Sequence, residues 1–161
     1  MMRVRELETP RLRLRPYTAA DRGWFVETFG DAVVMAHVGG AMSEDAAGAL
    51  FDAVLEGTRD RVFAAWCAES DEGVVGHGAL LREGEELELG YVLPQHAWGR
   101  GYATEIAGAL VSHALDTLGR ARVLATVDAD HSPSLRVLTK VGMVVRERVD
   151  DPEGAYLRCS T

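Results

Sequence analysis

The spacing of hydrophobic and polar positions changes several times along the chain, and each change marks an element. Arg11-Leu12-Arg13-Leu14-Arg15 alternates strictly, the pattern of a half-buried strand with its arginines outward, and Pro16 closes it. Thr18 followed by Asp21 has the form of a helix N-cap, opening an amphipathic helix through Trp24, Phe25 and Phe29. Gly39-Gly40 is a break. Ser43 then caps a second helix, in which Ala47, Leu50, Phe51, Val54 and Leu55 recur at helical spacing.

After Gly57 the pattern becomes that of strands. Val62 to Ala68 and Val74 to Leu81 read as a hairpin around Ser70-Asp71-Glu72-Gly73. A turn at Glu83-Gly84-Glu85 leads to a strand from Leu87 to Leu93, stopped by Pro94. Gly76, Gly78 and Gly90 inside these strands point to bulges or to the close approach of another backbone. A long helical segment covers Tyr102 to Leu118, and Arg122 to Val127 is an apolar strand. Ser132-Pro133 opens a helix, with Ser as N-cap and Pro first, and Gly142 ends it. Met143 to Val149 and Ala155 to Cys159 form a last pair of strands around Asp150-Asp151-Pro152-Glu153-Gly154. The order β-α-α-β-β-β-α-β-α-β-β predicts one mixed α/β domain over residues 1–161, a mostly antiparallel central sheet of about seven strands flanked by about four helices.

Composition narrows the partners. With 161 residues, 47% hydrophobic, there is material for one sizeable core. Lys+Arg number 17 against 25 Asp+Glu, a net charge of -8, so nucleic acid and anionic membrane are poor partners and a cationic or amine-bearing one fits. The two cysteines, Cys67 and Cys159, lie in apolar or strand-like stretches and read as free core thiols of a reducing compartment. The opening segment shows no apolar leader region, and the Val62–Ala68 run is too short to span a bilayer, so a cytoplasmic protein is expected.

The most informative stretch is Leu87-Glu88-Leu89-Gly90-Tyr91-Val92-Leu93, a short loop, and then Trp98-Gly99-Arg100-Gly101-Tyr102-Ala103-Thr104-Glu105. A glycine turn that opens a helix lets the backbone approach a ligand. It also presents unpaired N–H groups at the positive end of the helix dipole, a site for phosphate or pyrophosphate. The Walker-type G-x-x-x-x-G-K-[ST] is missing. A dinucleotide fold asks for a third glycine where Thr104 stands; Asp128 supplies the acidic residue after the next strand, but there are too few β-α-β units for that sheet.

The element order, and ETPRLRLRPYTAAD, LGYVLP…WGRGYATE and DHSPSLRVLTKVGM at their separations, make the chain resemble the acetyl-CoA-dependent N-acetyltransferases of the GNAT superfamily. Within it the chain looks most similar to the branch of ribosomal-protein N-terminal (alanine-type) acetyltransferases. Trp98, where many members carry Gln or Arg, is common in that branch. The resemblance implies a sheet splayed at the cofactor site. It implies acetyl-CoA as co-substrate, with its pyrophosphate on the backbone of Gly99, Arg100, Gly101, Tyr102, Ala103 and Thr104. It further implies that the backbone of Tyr91, Val92 and Leu93 pairs with the pantetheine arm and that the Val92 N–H polarises the thioester carbonyl. The acceptor would be a protein N-terminal α-amine; members are monomers or homodimers.

Direct transfer needs a neutral amine, a polarised carbonyl and a proton for the departing thiolate. Glu88 matches the family's catalytic glutamate, and partial burial on a central strand would raise its basicity; the alternative is one solvated patch of Glu83, Glu85, Glu86 and Glu88. Glu86 shares the face of Glu88 by period 2 and can help attract a cation. Ser134 matches the branch's proton donor. His131 stands where the family has Asn, and either bonds the cofactor or simply precedes the helix. Tyr156 is the rival acid, or a packed strand aromatic. The five histidines lack metal-ligand spacing, so no metal is expected. Ser112-His113 reads as helix surface, the first-strand arginines as a solvated face or a grip on the cofactor's 3′-phosphate, and Trp24, Phe25, Phe29 and Phe51 as core or cleft wall. Two alternatives remain open: a small-molecule amine acceptor (polyamine, amino sugar or amino acid), and a CoA-binding regulatory protein without turnover.

Overall fold

The computed structural model describes residues 4–161; the first three residues of the opening segment lie outside it. In chain order the elements are β1 (Leu7–Glu8), β2 (Arg13–Arg15), α1 (Arg22–Phe29), α2 (Glu44–Glu56), β3 (Val62–Ser70), β4 (Gly73–Glu83), β5 (Glu86–Val92), α3 (Tyr102–Ser112), β6 (Val123–Asp128), α4 (Ser132–Lys140), β7 (Val144–Asp151) and β8 (Gly154–Ser160). The strands form one eight-stranded sheet in the order β1-β2-β3-β4-β5-β6-β8-β7. All neighbours are antiparallel except β5 and β6, which run parallel. The eighth strand, β1, is a two-residue piece paired Leu7 to Leu14, too short to leave a period in the sequence.

Alternation along the strands divides the interior into two layers. On one face Leu12, Leu14, Trp66, Leu80, Leu87, Leu89, Val123, Ala125 and Val127 pack under Ile106, Ala107 and Leu110 of α3 and Leu138 of α4. On the other, Cys67, Ala79 and Val92 lie under Phe25 and Phe29 of α1 and Ala47 and Phe51 of α2, together with Tyr17. Burying each large side chain of these layers stabilises by about 1.5–3 kcal/mol. The caps act locally: the Asp21 carboxylate accepts the Thr18 N–H at 2.8 Å, and Ser43 Oγ accepts the Ala46 N–H at 3.1 Å. No helix among the described residues is long and apolar enough to cross a membrane.

Gly76 and Gly78 are there because α3 comes close. A Cβ on Gly76 would meet Ile106 Cδ1 at 2.8 Å, and one on Gly78 would meet Ile106 and Leu110 at 2.9 Å. The approach is by side chains rather than by another backbone. The β3–β4 register also shifts between Ala68 and Glu69, so a bulge accompanies it. Gly90 differs: its nearest neighbour would be Leu81 at 3.8 Å, an ordinary contact.

Three other expectations change. α4 begins one residue early, with His131 at the N-cap and Pro133 at the second position. His113 is buried, edge-on to Trp66 at 5.7 Å, because it stands seven residues after Ile106 and three after Leu110, on the face of α3 that packs on the sheet; the helix continues into a π turn over His113–Thr117. Arg15 is not solvated: it bridges Asp21 at 2.8 Å and Glu69 at 3.0 Å, with 15% of its side chain exposed.

Candidate active site

β5 and β6 pair only at Leu87–Val123 and Glu88–Leu124. Beyond Glu88 the two strands part. Leu89 to Val92 stay zipped to β4, and Ala125 to Asp128 to β8, so the sheet opens between its central strands. The backbone groups of Tyr91 and Val92 lie along this gap. Leu93 follows, and its carbonyl already accepts the Trp98 indole N–H at 2.8 Å. Trp98 itself is about half exposed, so its ring roofs the loop rather than filling the core.

The glycine turn sits at the mouth of the gap. Gly99 and Gly101 take φ of +71° and +81°, the left-handed region that side chains resist. α3 starts at Tyr102, and the first N–H to return to the helix is that of Glu105, to the Gly101 carbonyl at 3.2 Å. The N–H groups of Gly99, Arg100, Gly101, Tyr102, Ala103 and Thr104 take no acceptor among the described residues. Six consecutive donors at a helix N-terminus, next to an opened sheet, suit a pyrophosphate. The Arg100 side chain points elsewhere, to Glu72 at 2.8 Å.

Register separates the catalytic candidates by face. Glu88, Gly90 and Val92 of β5 align with Leu124 of β6, and Thr126 and Asp128 continue that face to Arg158 and Tyr156 of β8. This is the α1/α2 side. Glu88 keeps 15% of its side chain exposed and has Arg61 Nη2 at 3.7 Å. Burial raises its pKa and nearby Glu83 adds to the rise, while Arg61 and Arg158 oppose it. Glu86 is more exposed and is ion-paired with Arg122 at 2.5 Å, which lowers its pKa; its charge is spent locally. The acidic hairpin is thus not one uniform patch. Tyr156 is half-buried and lines a groove of about 950 Å³ with Asp128, Asp130, Asp151 and Glu153, so it is not the packed strand aromatic of the alternative reading.

Ser134, in the first turn of α4, lies on the opposite face of the sheet. Its Oγ is 2.7 Å from the hydroxyl of Tyr91, which thereby bridges the two sides of the gap. Burial raises the Tyr91 pKa and the Ser134 hydrogen bond offsets part of that rise. The side chain of Tyr91 is not found by the sequence analysis, which gives Tyr91 a backbone role only. Its odd, three-residue offset from Glu88 puts it on the other face of the strand.

His131 stacks on His37 at 4.1 Å, and His37 Nδ1 meets Asp128 at 2.9 Å. Burial, together with His37, lowers the His131 pKa. The stack ties the loop after α1 to the end of β6. His37, Asp128 and Asp130 bring one potential metal-ligand atom each within 4.8 Å of one another. Asp128 and Asp130 are neighbours at the end of β6, but His37 comes from the loop after α1, 91 residues from Asp128, so linear spacing could not reveal the cluster.

A mixed sheet opened between two parallel central strands, with a glycine turn leading into a helix at the opening, defines a GNAT-type acetyltransferase. The family profile described as Acetyltransferase (GNAT) domain matches residues 11–144, and the chain belongs to this family. A Bacillus subtilis (strain 168) relative named uncharacterized N-acetyltransferase YoaA is 31% identical over 144 residues, covering 84% of this chain and 81% of its own. Among solved structures, an acetyltransferase (GNAT family) from Bacillus anthracis superposes with a TM-score of 0.86 at 20% identity, covering 98% of both chains. The spermidine N-acetyltransferase from Vibrio cholerae, in complex with CoA and spermine, superposes at 0.82 with 13% identity, covering 95% of this chain and 96% of that one.

Proposed function

We propose that the protein transfers acetyl from acetyl-CoA directly to a primary amine in a ternary complex, and that the acceptor is a protein N-terminal α-amine. The observation that carries the first part is the run of six unpaired N–H groups from Gly99 to Thr104, beside a sheet that opens past Glu88. In this reading the turn holds the pyrophosphate, and Tyr91, Val92 and Leu93 hold the pantetheine arm, Leu93 through its N–H. Bound acetyl-CoA supplies an activated thioester whose carbon accepts the amine.

The chain's residues divide the proton work. Glu88 takes a proton from the acceptor ammonium, a task its raised pKa suits. Val92 lies four residues along the strand, roughly 13 Å at 3.3 Å per residue, so water carries the proton to Glu88 from the amine held beside the Val92 N–H. The Val92 N–H polarises the carbonyl as the amine adds. When the C–S bond breaks, Ser134 protonates the departing sulfur and Tyr91 resupplies Ser134 across their 2.7 Å contact, and the second proton shed by the nitrogen as the amide forms returns through water to Tyr91. His131 supports the Asp128 end of the gap.

A second reading, a small polyamine or amino-sugar acceptor, is favoured by the acidic groove of Asp128, Asp130, Asp151 and Glu153. The relative that binds spermine supports it at the level of fold. Labelled acetyl transfer from acetyl-CoA to a panel of N-terminal peptides and to spermidine, spermine and aminoglycosides separates the two. Transfer to peptides is expected. Transfer to polyamines alone overturns the peptide reading, and CoA binding without transfer to any acceptor leaves the regulatory one.

A further inference from the structure

The loop joining β1 to β2 lies against the glycine turn, and one carboxylate organises the contact. Glu105, in the first turn of α3, accepts the Thr9 hydroxyl at 2.7 Å and the Arg11 backbone N–H at 3.1 Å on Oε1. Its Oε2 accepts Arg11 Nε at 2.5 Å. Arg11 then reaches past it: Nη2 donates to the Arg100 carbonyl at 2.7 Å, 89 residues away in sequence, and the guanidinium stacks over the Tyr102 ring at 4.5 Å. A Cβ on Gly101 would come within 3.1 Å of the same Nη2, so the guanidinium sits on that residue.

This geometry has a directional consequence. A trans peptide points its C=O and N–H to opposite sides. Anchoring the Arg100 carbonyl toward Arg11 therefore turns the Gly101 N–H away from the β1–β2 loop, toward the open side of the turn. It also keeps a carbonyl dipole from facing an anion. Glu105 would by itself repel a phosphate at this helix end, and Arg11 cancels its charge at 2.5 Å. The free arginines expected of the first strand are thus not free: Arg11 is held by Glu105 and Arg13 by Glu6 and Glu69.

We propose that Thr9, Arg11 and Glu105 form a positioning clamp for the donor's pyrophosphate, acting through the Arg100–Gly101 peptide and not by touching the nucleotide. The clamp rests on the reading of Gly99 to Thr104 as the pyrophosphate turn. Arg11 and Glu105 are positioning residues; the turn's N–H groups make the contact.

Affinity for three ligands tests it: CoA, 3′-dephospho-CoA, which keeps the pyrophosphate, and pantetheine, which lacks it. Arg11→Met and Glu105→Gln are each expected to weaken CoA and 3′-dephospho-CoA alike, by about 10-fold, and to leave pantetheine binding unchanged. Arg11→Lys, which can reach Glu105 or the Arg100 carbonyl but not both, should recover part of the loss. A loss with CoA that disappears with 3′-dephospho-CoA would make Arg11 a direct 3′-phosphate ligand. An equal loss with pantetheine would make the cluster merely structural, and unchanged affinity throughout would remove it. Wild-type protein that fails to bind CoA overturns the underlying turn assignment, whereas a binding wild type with indifferent variants overturns only the clamp.

Discussion

Arg61 tests Glu88 without touching it. Its Nη2 stands 3.7 Å from a Glu88 oxygen, on a side chain that is 59% exposed. At an effective dielectric near 20 two charges at that distance would interact by about 4 kcal/mol, but exposure and solvent screening reduce such pairs to about 0.2–1 kcal/mol. Arg61 opposes the rise of the Glu88 pKa, so Arg61→Ala should raise it further. A base with a raised pKa stays protonated to higher pH, so the acid limb of the kcat/KM profile moves to higher pH. The plateau above it is unchanged, since Arg61 touches no reacting atom. Glu88→Gln should remove the limb and cut turnover by about 10²–10⁴-fold while acetyl-CoA affinity holds. The assay is CoA release, quantified chromatographically from pH 5 to pH 9, in wild type and both variants. An acid limb that stays in place or moves down in Arg61→Ala, or a full rate in Glu88→Gln, refutes Glu88 as the base.

The remaining predictions concern the fold and the second proton site. Burial holds the His77 pKa down to about 4 while Tyr17 bonds its Nδ1 at 2.8 Å. The neutral ring therefore contributes stability that is complete above the unfolded value near 6.5 and is lost as pH falls toward 4. Denaturant titrations should show that slope in wild type and a flatter one in His77→Gln; equal slopes would rule out His77 as its source. Gly78→Ala places a methyl 2.9 Å from Ile106 and Leu110, and a loss of about 1–3 kcal/mol of stability, read as a lower denaturant midpoint, is expected; an unchanged midpoint would show that α3 yields freely. Ser134→Ala should lower kcat far more than it changes the acceptor KM, and Tyr91→Phe should lower kcat less. The reverse ranking would make Tyr91 the direct donor, and no effect in either would move the acid to Tyr156.

Much of this was legible in the sequence, for reasons that differ by element. The strands β3 to β6 and the two capped helices follow from period and cap chemistry, which are local. The glycine turn was legible because Gly99 and Gly101 do what few residues can, adopting φ near +70° to +80° at a helix start. What escaped depends on contacts distant in sequence. β1 is two residues held by pairing with β2. His113 shares the face of Ile106 and Leu110, but that this face continues under the sheet as far as Trp66 is a tertiary fact. Arg11 looks solvent-facing by alternation, yet Glu105 lies 94 residues away to receive it. The Tyr91–Ser134 contact joins β5 to α4 across a gap that no single segment describes.

The central claim is that the turn from Gly99 to Thr104 binds the donor, and calorimetric titration of acetyl-CoA into wild type and Gly101→Val tests it most directly. Valine at φ +81° strains the turn and crowds Arg11, which displaces the N–H groups. Micromolar binding by wild type, at least about tenfold weaker in a folded Gly101→Val protein, is the predicted result. No heat with wild type, or equal affinity in the variant, would contradict it.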